Sequence, residues 1–214
     1  MCGSGMAGRP ISTLGFEKIS NPYFSDTLAN AETFVETLTT NVPDFPPYYR
    51  RMKVVNSTDT RILGGLPGAD NALSPDEVER WMNEKNAVVV DLRGQLPFGG
   101  GHIPGSLGVS FGKNLPTWAA WSVPYDRPII LVSDDPNTEI ETAIRHLVRV
   151  GHVEIVGWLK GGVTSWILSG RPTARIEQIT PSQLKTKINA GEPVRVLDVR
   201  TEGEFKGGHI DGAT

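Results

Sequence analysis

A single cysteine, Cys2, stands in 214 residues, so no disulfide can form within the chain. Such usage predicts a reducing, cytoplasmic setting. Histidine is equally scarce: His102, His146, His152 and His209 show no H-x-H or H-x-x-x-H pairing. No metal and no cofactor are therefore expected in this chain. No apolar run approaches the roughly 20 residues that a membrane-spanning helix needs, so no membrane partner is expected. Lys and Arg number 21 against 24 Asp and Glu, a net charge of -3. That balance lacks the basic footprint of a nucleic-acid binder.

What is abundant is glycine (24) and proline (16), which suits a chain of many tight loops. A length of 214 residues allows one large domain or one and a half ordinary ones. The most legible stretch runs from Arg127 to Gly170. Pro128–Ser133 is a short apolar, β-branched run, the pattern of a strand buried on both faces of a parallel sheet. Asp134 and Asp135 follow as N-cap candidates, with Pro136 at a position suited to the first helical turn. Ile140, Ile144, Leu147 and Val148 recur at helical spacing, Gly151 stops that helix, and Val153–Val156 reads as the next strand. This is one βαβ unit, and its ligand site would lie beyond the carboxyl end of the first strand, at residues 133–140.

Residues 88–106, VVVDLRGQLPFGGGHIPGS, are matched by residues 195–213, RVLDVRTEGEFKGGHIDGA. Asp91/Asp198, Arg93/Arg200, His102/His209 and Gly105/Gly212 all keep a separation of 107. That period is far beyond the 20 to 50 residues of solenoid repeats and indicates duplication of a whole domain. Upstream, Ala31–Thr40 has one apolar face, and residues 41–56, rich in proline and aromatics, favour extended or looped chain. Residues 62–72 read as a glycine-rich linker. Ser74-Pro75-Asp76-Glu77 opens a helix with a capping box and proline at its first position. Ala87–Asp91 is a buried strand, Arg93 begins a loop, and Leu107–Phe111 is a further short strand.

Asp-x-Arg, the G-H-I-x-G turn and Gly161-Gly162-Val163-Thr164-Ser165-Trp166 together resemble the rhodanese-homology domain. The resemblance implies an α/β fold, a small parallel sheet with helices on both faces, for residues 66–175, with incomplete flanking pieces. It places Asp134 where the family carries its cysteine nucleophile, at the head of a loop that includes Asp135, Asn137, Thr138 and Glu139. Aspartate can accept the loop's N–H groups but cannot carry a sulfane sulfur, and Asp135, Glu139 and Glu141 would repel an anionic donor. Capping of the helix is the preferred role for Asp134 or Asp135, ahead of binding. Asp91, Arg93, His102 and their counterparts Asp198, Arg200 and His209 are expected to brace loops rather than react.

Cys2-Gly3, Ile11–Glu17 and Pro43–Asn56 resemble the closing stretch of a metallo-β-lactamase-fold domain of the persulfide dioxygenase type. Residues 1–65 are thus read as the tail of such a domain, and 176–214 as the first part of a second, truncated rhodanese-like domain. The whole is read as an internal fragment of a fusion protein. Iron or zinc would belong to the parent, and Cys2 is the only candidate thiol, read as a spectator. The primary expectation is a non-catalytic rhodanese-like module in sulfide and persulfide metabolism. The alternatives are an active sulfurtransferase using Cys2 or a downstream cysteine, and a cation- or amine-binding module. Expected partners are other domains of the parent and small sulfur compounds, with homo-oligomerisation left open.

Overall fold

The computed structural model describes residues 11–21, 30–39, 47–58 and 62–214. The chain divides into two compact units, Met1–Tyr49 and Arg50–Thr214. In the first, α1 (Leu14–Ser20) starts at Thr13, whose side chain accepts the Phe16 N–H, and α2 is Ala31–Thr39. The division falls within α3 (Pro47–Ser57), where the sequence predicts extended chain. The prolines stop at Pro47, at the first position of α3, where a missing N–H is tolerated. The ten residues after it contain none, so nothing prevents the helix.

The second unit is built on a parallel sheet, five-stranded among the described residues, in the order β1-β5-β4-β2-β3. β1 (Ala72–Leu73) ends what the sequence presents as a linker; it pairs with β5, a contact no local pattern encodes. α4 (Pro75–Lys85) begins with the expected capping box, Ser74 accepting from the Glu77 N–H and Glu77 from the Ser74 N–H. After β2 (Val88–Asp91) comes α5 (Gln95–Gly100), a short helix where a loop is expected. Four of its six residues are Pro, Gly or Phe, which hides it from propensity. β3 (Leu107–Gly108), α6 (Leu115–Ser122) and β4 (Ile129–Val132) follow. α7 (Pro136–Arg149) crosses to β5 (Ile155–Leu159), which begins two residues later than its apolar run predicts, and α8 is Gly162–Leu168.

Every residue of β2 and β4 is buried, as a doubly covered sheet requires. Alternate side chains serve opposite faces. Val88, Val90, Ile129 and Leu131 pack with Leu115, Ala119, Ile140, Ile144 and Leu147 from α6 and α7. Val89, Ile130 and Val132 pack with Val78 of α4 and with Val163 and Trp166 of α8. A buried aliphatic side chain contributes roughly 1.5–3 kcal/mol, so these two layers supply most of the cohesion.

Beyond Ala174, α9 (Pro181–Asn189) and α10 (Glu202–Lys206) both carry capping boxes but bury no residue. Between them, Asp198 N–H donates to Thr214 O and Thr214 N–H to Val196 O. Among the described residues no helix is long and apolar enough to cross a membrane.

Candidate functional site

The carboxyl end of β4 delivers Ser133, Asp134 and Asp135 to the start of α7. Ser133 is buried; its hydroxyl donates to Glu139 Oε2 at 2.5 Å and accepts from the Asp135 N–H at 2.9 Å. Asp135 Oδ2 accepts from Thr138 Oγ1 at 2.7 Å, and the Asp135 carbonyl accepts from the Glu139 N–H at 3.1 Å. The loop therefore satisfies itself through short-range side-chain bonds. Asp135 occupies the N-cap, but its carboxylate takes no helix N–H, contrary to the expected capping role. Its ψ of 72° lies outside the extended region usual for a capping residue, and its carbonyl takes the Thr138 and Glu139 N–H groups. Asp134, Asn137 and Thr138 are exposed.

Gly162 explains the paired glycines of the G-G-x-x-x-W segment. It sits at φ +58°, and a Cβ there would lie 2.9 Å from the Ser133 carbonyl oxygen. Only glycine lets α8 begin this close to the loop. Four residues on, Trp166 is buried and donates from Nε1 to Pro172 O.

Asp91 and Arg93 form a buried ion pair. Arg93 Nε and Nη2 reach Asp91 Oδ1 at 2.9 Å and Oδ2 at 2.7 Å, and Nη2 also donates to Gly101 O. Both side chains are buried, the arginine 8% and the aspartate 1% exposed. His102 stacks on Phe98 and has Nδ1 2.9 Å from Phe98 O, so that nitrogen carries the proton. The second copy repeats each contact: Arg200 grips Asp198 and Gly208 O, and His209 stacks on Phe205. The Arg200 hydrogen bond holds Asp198 well below the usual carboxylate range, at about 2. Yet Leu197 is 70% and Val199 86% exposed, whereas their counterparts Val90 and Leu92 are buried.

Three features escape the sequence reading. Tyr125 lies flat on His152, and the guanidinium of Arg51, on α3, lies 4.5 Å from the Tyr125 ring centre. Burial pushes His152 down to about 4. On the opposite face Arg171 joins Asp76, Glu79 and the Trp166 ring. Cys2 lies outside the described residues. Among those described, no three His, Cys, Asp or Glu side chains gather as metal donors. The loop can present a carboxylate, but among its own residues no thiol, and its one buried hydroxyl is shut away from substrate.

A parallel sheet covered by helices on both faces, with a loop closing the carboxyl end of its central strand, defines an α/β module. The chain belongs to the rhodanese-like domain family, which matches residues 74–169 and again residues 180–214. It is similar to a metallo-β-lactamase from Staphylococcus aureus subsp. aureus COL, with 28% identity and a TM-score of 0.53 over 73% of this chain. The match spans 42% of the staphylococcal structure. The Alr3790 protein from Anabaena sp. is 24% identical, with a TM-score of 0.41, covering 53% of this chain and 98% of that one. The rhodanese-like domain of Alr3790 in solution is 22% identical, with a TM-score of 0.42, covering 62% and 91%. No curated protein matches the chain.

Proposed function

We propose that this chain is a non-catalytic rhodanese-like module of a fused persulfide dioxygenase–sulfurtransferase, with Asp134 standing at the nucleophile position. The observation that carries the reading is the loop itself: Asp134 heads it, exposed, while Ser133 and Glu139 are occupied with each other. A transferase needs a thiolate there to attack the outer sulfur of a donor such as thiosulfate, expelling sulfite and keeping the sulfur as a persulfide. A carboxylate has no reducing sulfur to accept it. The module's role is then structural or docking, within sulfide and persulfide metabolism, and any iron or zinc chemistry belongs to the parent. In this reading residues 1–65 close a metallo-β-lactamase-fold domain, 66–175 are the inert module, and 176–214 begin a second rhodanese-like domain. The similarity to a staphylococcal metallo-β-lactamase supports that order.

The test is a thiosulfate:cyanide sulfurtransferase assay on the full chain and on Cys2→Ala. The expected result is no thiocyanate above the uncatalysed rate from either. Turnover by the native chain that vanishes in Cys2→Ala would establish the active reading instead.

A further inference from the structure

On the side of the second unit away from the loop, residues 51–58 and the turn that joins α7 to β5 line an open cleft of about 390 Å³. That volume is within the usual range of small-ligand sites, roughly 300–1,000 Å³. Its apolar wall includes Met52, Val148 and Val153. Among the described residues its polar lining is cationic or neutral: Arg51, Arg149, Asn56 and Thr58.

The two arginines differ in a way that points to a missing acceptor. Arg51 is held in place by the Tyr125 ring, yet its Nε is buried without a hydrogen-bond partner. Asp126 lies 3.9 Å from Nη1 and is 97% exposed, too remote and too wet to satisfy Nε. Arg149 is exposed in the last turn of α7, where its charge offsets the partial negative charge of the helix end. A buried donor left unpaired is costly, and a guanidinium pairs best with a planar, bidentate anion.

We propose that this cleft binds a small organic carboxylate with a short apolar tail, its carboxylate held by Arg51 and Arg149 and its tail on the Met52–Val153 wall. The tail displaces water from apolar surface while the head pairs with the part of the Arg51 guanidinium that stays accessible, the side chain being 36% exposed. Selectivity follows from the lining: an ammonium head would meet two like charges, and a bare inorganic anion would leave the apolar wall wet. The site is independent of the Asp134 loop.

The experiment titrates the full chain with octanoate, octylammonium, 1-octanol and sulfate, followed by calorimetry and by amide shifts at residues 51–56 and 148–153. Octanoate is expected to bind saturably with Kd on the order of 1 mM or tighter. Arg149→Gln, at an exposed position that leaves the core untouched, should weaken it by about tenfold, the loss of one charged hydrogen-bonding partner. Arg149→Lys should recover part of that loss, and Asp134→Asn should change nothing. Octanol or octylammonium binding as well as octanoate would reduce the cleft to an apolar sink and overturn the proposal. So would an unchanged affinity in Arg149→Gln, or the absence of saturable octanoate binding.

Discussion

Tyr125 and His152 are stacked face to face, their ring centres 4.1 Å apart and their planes within 5°. The imidazole is 2% exposed, its Nδ1 has no hydrogen-bond partner, and Nε2 reaches Ala119 O only at 3.4 Å. Burial dominates, and the nearby Arg51 charge adds to it, so the ring is neutral in the fold with a pKa of about 4 against an ordinary 6.5.

That depression makes stability pH-dependent. Above pH 6.5 His152 is neutral in both states and contributes its full packing; as pH falls from 6.5 toward about 4, the unfolded chain gains a proton that the fold refuses. The expected loss is on the order of 3 kcal/mol across that window. Urea unfolding at pH 7 and pH 4.5 measures it, and His152→Phe should flatten the slope between the two. A slope unchanged by the substitution would mean that other groups are responsible.

The brace offers a matched pair of substitutions. Arg93→Ala strands the Asp91 carboxylate, 1% exposed, and should cost about 3–5 kcal/mol. Arg200→Ala removes the same bonds from an arginine that is 45% exposed, so water replaces them and the cost should be a small fraction of the first. Denaturant midpoints for the two variants check this; equal losses would show that geometry, not burial, sets the strength of the brace.

How much of this was legible follows element by element. β2 and β4 announced themselves because burial on both faces demands unbroken Val and Ile, and α4 because Ser74 and Glu77 are a local signal. The Asp91–Arg93 and His102 contacts were legible through their repetition 107 residues on. β1 was not, since two residues of a glycine-rich stretch become a strand only when β5 is beside them. Nor was the Arg51–Tyr125–His152 stack, whose members come from three distant segments. In the loop, the sequence named the residues but not their bonds: the Asp135 N–H goes to the Ser133 hydroxyl, and the Asp135 carbonyl, not its carboxylate, takes the Thr138 and Glu139 N–H groups.

Installing a thiol by Asp134→Cys should restore little sulfurtransferase activity. Asp135 and Glu139 surround the position with negative charge, which raises a thiol's pKa and repels thiosulfate. Combining it with Asp135→Asn, Glu139→Gln and Glu141→Gln should raise persulfide formation, read by mass spectrometry, by at least about tenfold over the single change. A single Asp134→Cys variant as active as the combination would refute the electrostatic barrier.

Limited proteolysis should separate the layers of the second unit. α9 and α10 bury nothing, whereas α7 buries Ile140, Ala143, Ile144 and Leu147. Cleavage is expected first beyond Gln178, leaving a product that keeps β1 to α8, because Ala174 and Ile176 are still tied to His102 and Gly99. Peptide mapping over time reads the order; survival of residues 181–206 as long as α7 would contradict it.

The duplicated hook from Asp91 to His102 carries a consequence for how the chain assembles. Its bonds join residues only two, four and eight positions apart, and the second hook closes by the same separations. Loops of about ten residues close in roughly 10–100 ns, so both hooks are available before any distant strand arrives. Each then presents a similar apolar segment, Val88–Leu92 and Arg195–Val199, to Ile129–Val132. Loop-closure entropy discriminates weakly between such partners, since each doubling of length costs only about 0.6 kcal/mol. What favours β2 in the finished fold is the side-chain layer that α6 and α7 pack against it. A tandem repeat thus builds kinetic competition for its central strand into its own refolding, and the mispaired form is the trap that assembly must escape.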